Sequence, residues 1–380
     1  MKIGILTQPL HDNYGGLLQA YALKEILKNL SHDVVIINRV RTPSNPWRII
    51  ASKIKHTLKG SNLPKAQPLS ALHKSIISQH TSAFREKYIP EQSHLITSNK
   101  EMKKLNNDDF DAFIVGSDQC WRPRYSPQIE NFFLDFAESV PNIKRISYAA
   151  SFGTSNWEFT VKQTNTCKKL LGNFDAISVR EKSGVKLVEQ HLGRSDAIHV
   201  LDPTMLLAKE HYQQIIEQEN PKTSKGNLKV YVLDKTTEKN AFISDIEQRL
   251  SMKQFEVMPK KRLQSNTVTD DTAVDFQYPS PAQWLKGFAD ANFVITDSFH
   301  GTVFSILFNI PFISIANVQR GSARFESILD VFGLSNRLVT DINNTNIDEL
   351  LSTDINWADV NKILESERAK AIHFLTSSLK

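Results

Sequence analysis

Cysteine is scarce in this 380-residue sequence, which contains only Cys120 and Cys167 and no CxxC pair. Two thiols without such a pair favour free cysteines in a reducing cytoplasm over a disulfide framework. No set of His, Cys, Asp and Glu residues falls at the spacing of a metal site. We therefore predict no catalytic metal, and we expect no cofactor.

Long apolar runs are also missing. No run reaches the roughly 20 residues that cross a bilayer, and the best one, 302–315, contains Asn309 and Pro311. The N-terminus lacks the charged segment, the long apolar segment and the small-residue cleavage site of a secretory signal. We expect a cytoplasmic protein, with a peripheral position on the inner face of the membrane as the alternative considered below.

Charge of one sign does not dominate the chain, because 46 Lys and Arg face 41 Asp and Glu, for a net charge of +5 and a pI of about 8.9. This excess is too small for a nucleic-acid binder, and it agrees weakly with an anionic substrate. A hydrophobic content of 40% with 23% charged residues is typical of a soluble globular protein.

The order of apolar and amphipathic segments predicts an α/β protein with two Rossmann-like domains. KIGIL (2–6), an amphipathic helix over 17–30 and DVVIIN (33–38) form a βαβ unit, which implies a parallel sheet. The length exceeds one ordinary core. The predicted units are an N-terminal domain at 1–195 with an insert at 40–105, a C-terminal domain at 196–365 and a final helix at 366–380.

The insert has a strongly basic composition. Residues 39–105 contain thirteen Lys and Arg but only three Glu and no Asp. Within them, 45–60 places Trp47, Ile50, Ile54 and Leu58 at helical spacing between basic residues. This pattern predicts a basic amphipathic helix that either lies on an anionic membrane surface or covers the cleft as a lid.

Polar residues interrupt two apolar runs in VITDSFHGTVFSIL (294–307). The pattern predicts a strand, a short turn and a helix, which is where α/β sheets bind ligands. Backbone N–H groups of Gly301, Thr302 and Val303 would face an anion at the start of the helix, and Gly301 would let it approach. His300 is a candidate acid or, alternatively, a helix-capping residue, and Ser298 stands beside it.

Other predicted strand ends carry further candidate residues. The loop at 13–16 offers an aromatic ring and amides to a sugar or phosphate, with ordinary turn chemistry as the alternative. Other candidates have a structural alternative. It is an N-cap for Asp118, a salt bridge for Arg180 and a solvated helix start for Arg324, while Asp202 is expected at a hinge. The candidates are Asn13, Tyr14, Gly15 and Gly16 in the loop, and Ser117, Asp118, Gln119, Arg180, Asp202 and Arg324 elsewhere.

Taken together, the segments resemble the polysaccharide pyruvyl transferases, in the order of that family and over most of the chain. The segments are NYGGLLQAYAL (13–23), IVGSDQCW (114–121), SYAASFG (147–153), SVRE (178–181), LDPTMLL (201–207), TDSFHGTVFSILFNIPFI (296–313) and ARFESILDVFGLSNR (323–337). The resemblance implies a glycosyltransferase-B-like fold whose two domains face a cleft. It also implies transfer of a pyruvyl group from phosphoenolpyruvate to a sugar, usually as a cyclic ketal on a bacterial surface glycan such as a capsule or an exopolysaccharide.

The resemblance also implies roles for the candidates. His300 would protonate the donor, arginines such as Arg180 and Arg324 would hold its charges, and Asp118 would orient or deprotonate the acceptor hydroxyl. Some relatives carry an arginine two positions before the histidine, where this chain has Ser298, so its phosphate charge must be met elsewhere. Asp202 is expected to shape the hinge between the domains and to contact ligand only secondarily.

The expected partners are phosphoenolpyruvate on the C-terminal side and a sugar or lipid-linked saccharide on the N-terminal side, with no nucleic acid. The oligomeric state, including a homo-oligomer, stays open at this point. One alternative is a glycosyltransferase that uses a sugar nucleotide, with Asp297 as its acidic residue. Another is a relative that binds glycans without catalysis.

Overall fold

The structure is a computed structural model that describes residues 1–42, 69–263, 267–317 and 321–380. The predicted basic helix at 45–60 therefore lies outside the described residues. The described chain folds around two parallel sheets, each accompanied by helices.

The first sheet has six strands in the order β2-β1-β3-β4-β5-β6. They are β1 (Lys2–Leu6), β2 (Asp33–Ile36), β3 (Ala112–Val115), β4 (Lys144–Ala150), β5 (Ala176–Val179) and β6 (Ile198–His199). The helices of this half are α1 (Tyr14–Asn29), α2 (Ala71–Ile77), α3 (Gln79–Tyr88), α4 (Asn99–Met102), α5 (Val161–Leu171) and α6 (Lys182–Leu187). Every pairing within the sheet is parallel, as the initial βαβ unit predicts.

The second sheet has five parallel strands in the order β11-β10-β9-β7-β8. They are β7 (Leu228–Tyr231), β8 (Gln254–Phe255), β9 (Phe293–Thr296), β10 (Phe312–Ile315) and β11 (Leu338–Val339). The helices are α7 (Lys209–Glu219), α8 (Thr237–Leu250), α9 (Pro281–Ala289), α10 (Phe299–Leu307), α11 (Ala323–Val331), α12 (Ile347–Ser352) and α13 (Trp357–Ser378).

The central strands are short apolar runs because both of their faces are covered. Residues of β3, β9 and β10 are buried throughout, as expected for strands of a parallel sheet between helices. Helix starts follow local capping rules. Asn13 caps α1 by accepting from the N–H of Gly16, and Ser280 caps α9 directly before Pro281 at its first position.

The junction between the two halves is closely packed. Tyr14 at the start of α1 stacks on Trp284 of α9 with ring centres 5.5 Å apart, and its hydroxyl donates to the carbonyl of Pro279. β6 still belongs to the first sheet, three residues beyond the expected boundary at 195, and the last helix begins at Trp357 rather than at 366. None of the described helices is long and apolar enough to span a membrane.

Candidate active site

A cleft with a volume of about 600 Å³ lies where the carboxyl ends of the two sheets face each other. The first half contributes the loop between β1 and α1 and the residues after β3, while the second half contributes the start of α10 and Arg324 of α11. This is the position at which α/β sheets bind ligands. Seven of the predicted site residues line it, namely Asn13, Gly16, Asp118, Gln119, Ser298, His300 and Arg324.

His300 stands in the first turn of α10 and is only 6% exposed. Its ring lies against the backbone of Gly15 in α1, because a Cβ placed on Gly15 would come within 2.0 Å of Nδ1. Only glycine leaves room for the imidazole there. The missing side chain of Gly15 leaves space for the imidazole, so the two halves of the chain are in contact at His300.

Asp202 lies behind His300, completely buried, with Oδ2 at 3.6 Å from Nε2 of the imidazole. The same oxygen accepts from Nη1 of Arg180 at 2.7 Å, while Oδ1 accepts from the N–H and hydroxyl of Thr204. Every carboxylate oxygen therefore has a donor or a cation. Asp202 has no exposed surface for direct contact with a ligand, and it joins Arg180 of the first half to His300 of the second.

Arg180 was expected to hold an anion, but the structure pairs it with two carboxylates instead. Its guanidinium is buried between Asp202 and Asp118, which it reaches with Nη2 at 3.2 Å. One face of the guanidinium covers the ring of Phe299 at 4.5 Å. The salt-bridge alternative is therefore the arrangement observed, because two neighbouring carboxylates occupy the fork that would otherwise bind substrate.

The charges of this network set the pKa values of its acids. Burial by itself would raise the pKa of Asp202, but His300 and Arg180 hold it well below its ordinary value. Burial likewise opposes the ionisation of Asp118, and Arg180, His300 and Arg324 outweigh it, so its pKa is lowered. Both carboxylates are therefore ionised at neutral pH.

Arg324 lines the cleft, as does Arg41. Its guanidinium lies 5.6 Å from the ring of Phe299, on which Arg180 also packs. Burial, followed by the charge of Arg180, lowers the pKa of Arg324 to about 10, which leaves it charged at neutral pH. It can supply positive charge that Ser298, with its neutral hydroxyl, does not.

Helix α10 begins two residues earlier than expected, at Phe299 rather than at Gly301. The N–H groups of Thr302 and Val303 are used inside the helix, since Thr302 donates to the carbonyl of Ser298. The first N–H groups of the helix, on Phe299, His300 and Gly301, are the ones that lack a partner within the helix. The hydroxyl of Thr302 contacts that of Ser314, and the space beside Gly301 is taken by Thr296 rather than by an anion.

Two further predictions in the first half need correction. The segment at 13–16 is not a loop, because α1 begins at Tyr14, and Tyr14 is 1% exposed in the packed junction rather than displayed to a sugar. Ser117 is fully buried and donates to the carbonyl of Ala149 and to Asp202. Gln119 does line the cleft, where its side chain accepts from Arg122.

Asp297 is not available as a nucleotide-binding acid. Its carboxylate accepts from the backbone N–H groups of Leu233 and Asp234 and pairs with Lys239 at 2.7 Å. These contacts tie the ends of β7 and β9 together. The alternative function based on Asp297 therefore loses the residue on which it depended.

Several cleft residues escaped the sequence analysis. Gln8 and His11 follow β1, Arg41 follows β2, and Tyr125 lies beyond the strand end at 118. The polar residues just after β1 could have indicated Gln8 and His11 as cleft residues, because β1 is the neighbour of β3 in the sheet and the residues after β3 line the cleft. Within the described residues, no group of three or more His, Cys, Asp and Glu could hold a metal ion.

Comparison with known proteins gives the identity of the family. The family model described as polysaccharide pyruvyl transferase matches residues 13–319, which is most of the chain and includes His300, Asp202, Arg180 and Asp118. The chain belongs to the polysaccharide pyruvyl transferase family. No curated protein matches it.

Solved structures with the same fold are distant in sequence. UGT89C1 of Arabidopsis thaliana, in complex with UDP-L-rhamnose, matches with a TM-score of 0.53 and 10% identity over 99% of this chain and 98% of its own. The UDP-GlcNAc 2-epimerase of Neisseria meningitidis, bound to UDP-GlcNAc, matches with a TM-score of 0.50 and 10% identity over 100% and 99% of the two chains. These likenesses establish a glycosyltransferase-B-like fold for this family member.

Proposed function

We propose that this pyruvyl transferase uses phosphoenolpyruvate as its donor and a sugar, free or carried on a lipid, as its acceptor. The product is a pyruvate ketal of a surface polysaccharide or of its precursor, and inorganic phosphate is released. The observation that carries the proposal is His300, which lines the cleft with the ionised Asp202 behind it and the cationic Arg324 beside it, in a member of this family.

Donor binding follows from the charges of the cleft. Phosphoenolpyruvate carries about two negative charges on its phosphate, in addition to its carboxylate. Arg324 and the first residues of α10, Phe299 and His300, line the same space, and the helix dipole adds about half a positive charge. Ser298 contributes a hydroxyl donor, so Arg324 takes the charge that an arginine at 298 would carry.

His300 donates the proton that starts the reaction. Nε2 faces Asp202, which leaves Nδ1 as the nitrogen that reaches substrate past Gly15. The proton goes to the methylene carbon, C2 becomes electrophilic and a sugar hydroxyl adds to it. A second hydroxyl of the same sugar then displaces phosphate and closes the ketal.

Asp118 fits an orienting role better than that of a strong base. Its lowered pKa makes its carboxylate a weak proton acceptor, while its position on the cleft wall lets it hold an acceptor hydroxyl by a hydrogen bond. Arg180 fixes that carboxylate in place from behind. The proton of this hydroxyl passes to the imidazole of His300, which has given its own proton to the methylene carbon, and the proton of the second hydroxyl leaves with the phosphate.

Phosphate release tests this function directly. The enzyme is incubated with phosphoenolpyruvate and a panel of nitrophenyl glycosides and lipid-linked saccharides, and phosphate is measured with and without each acceptor. We expect phosphate release that depends on the acceptor, and a product heavier by one pyruvate ketal. Calorimetric titration with phosphoenolpyruvate and with sugar nucleotides runs in parallel, and saturable heat with a sugar nucleotide alone would overturn the proposal.

A further inference from the structure

A second polar cavity opens beside the cleft and is not used by the proposed reaction. It has a volume of about 300 Å³ and lies between the loop after β1 and the helices α2 and α3. Its walls carry two cationic side chains and four hydroxyls, from Lys74, Arg85, Ser75, Ser78, Thr81 and Ser82. The two cations suit an anion with several oxygen acceptors, whereas the hydroxyl of Ser75 already donates to the carbonyl of Leu72.

The two cations of this cavity, Lys74 and Arg85, have few partners in the part of the chain that the structure describes. Among the described residues, no carboxylate forms an ion pair with Lys74 or Arg85, and Arg85 donates only to the carbonyl of Leu10. By contrast, Lys87 on the same helix α3 is paired with Glu219 outside the cavity. Two of the basic residues of segment 39–105, Lys74 and Arg85, therefore line this cavity.

One carboxylate, Asp12, also lines the cavity, and its role is structural. Its oxygens accept from the hydroxyls of Ser78 at 2.8 Å and of Thr81, which ties the α2–α3 junction to the loop after β1. The two cations outnumber this one carboxylate, so the space keeps a positive charge even with His11 neutral. Ser82 and the remaining N–H groups of Arg85 are left to face a ligand.

His11 connects this cavity with the cleft, because it lines both. The two spaces are therefore adjacent at His11. In the proposed function, the donor phosphate binds at Arg324 and the start of α10, which do not line this cavity. A second anion in the site must come with the other substrate.

We propose that this cavity binds the phosphate or diphosphate group of a phosphorylated acceptor whose sugar reaches His300. The assignment of the group to the acceptor rests on the proposed function, whereas the anion site itself does not. The cavity is thus a specificity-determining subsite, which distinguishes acceptors that carry a phosphate from neutral glycosides.

Calorimetric titration with inorganic pyrophosphate, in the presence of saturating phosphoenolpyruvate, tests the anion site without turnover. We expect K74Q to weaken pyrophosphate binding by ~10-fold, the loss of one charge-assisted hydrogen bond. K100Q is the matched control, because Lys100 is an exposed lysine of the same basic region that does not line the cavity, and it should bind as the wild type does. Equal affinities in the wild type and K74Q, or no heat once phosphoenolpyruvate is bound, would overturn the site.

Steady-state kinetics then tests whether the anion belongs to the acceptor. For a sugar that is a substrate, KM is compared between its methyl glycoside and its 1-phosphate. K74Q should raise KM ~10-fold for the phosphorylated acceptor only and leave KM for phosphoenolpyruvate unchanged. Equal changes for both acceptors, or none, would assign the cavity to a free anion instead. An enzyme without turnover would refute the proposed function, while the pyrophosphate titration would still decide the site.

Discussion

At the scale of single residues, the site depends on one imidazole held between two halves of the protein. Gly15 on one side makes room for His300, and Asp202 on the other fixes the direction of its ring. Arg180 neutralises part of the charge of Asp202 and at the same time orders Asp118. In the proposed mechanism His300 transfers the proton, and Asp202 and Arg180 position the groups around it.

Replacement of His300 by glutamine should remove the proton donor and keep a polar side chain of similar reach. We expect kcat for phosphate release to fall at least ~100-fold, because general acid catalysis typically contributes that much. The affinity for phosphoenolpyruvate, measured by calorimetry, should change little. A loss confined to affinity would show that His300 binds the donor without catalysing the reaction.

Replacement of Asp202 by asparagine should act through His300. The neutral amide removes the negative charge that lies 3.6 Å from Nε2 of His300, so we expect a ~10-fold or larger fall in kcat and a nearly constant KM. S117A serves as the control, since it removes a neutral hydrogen bond to the same carboxylate and leaves the charge. An unchanged kcat with reduced stability would make Asp202 a structural residue only.

At the scale of secondary-structure elements, the periodicity of apolar residues predicts most strands and helices around the site, and the segment at 13–16 is an exception. Apolar runs predicted the βαβ start and the strands that frame the site, because periodicity reports burial directly. The segment at 13–16 was misinterpreted as a loop, since two glycines there indicate a turn although Asn13 caps a helix. The pairing of Arg180 with Asp202 depends on strands far apart in sequence, which no local pattern reveals.

Strand β7 contains a buried cation that the site does not use. Lys229 is fully buried, donates to the carbonyl of Trp284 at 3.2 Å and lies 4.4 Å from the ring centre of Phe288. Burial lowers the pKa of Lys229 to about 7 from an ordinary value of 10.5. Between these two values the unfolded chain binds more protons than the folded one, so this group makes stability rise with pH through that window.

Replacement of Lys229 by methionine should therefore stabilise the protein most at and below pH 7. We expect a gain of about 1–3 kcal/mol at pH 7, seen as a rise of a few degrees in Tm, that shrinks towards pH 10. Thermal unfolding of the wild type and K229M at both pH values measures the difference. K253M, at an exposed lysine before β8, should change Tm at neither pH. The same gain for K229M at pH 7 and pH 10 would contradict the assignment.

At the scale of the whole molecule, the two Rossmann-like halves share one apolar cluster. That cluster includes Leu17 of α1, Trp284 of α9, Phe304 of α10 and Leu375 of α13. The resemblance to a family predicted the fold class and the cleft, because motif order reflects the arrangement of strands. The shared packing could not be predicted, since the boundary helices show the same amphipathic pattern whether they face one sheet or two.

Ligand binding should consequently stabilise the molecule as one unit. Because the cluster crosses the junction, we expect a single calorimetric unfolding transition, and phosphoenolpyruvate at about 100 times its Kd should raise the unfolding free energy by ~2.7 kcal/mol. Pyruvate, which lacks the phosphate, is the control and should shift Tm far less. Arg324 faces the proposed donor site, so R324Q should lose most of the shift produced by phosphoenolpyruvate. Two resolved transitions, of which phosphoenolpyruvate moves only one, would mean that the halves unfold independently and that the donor contacts one of them alone.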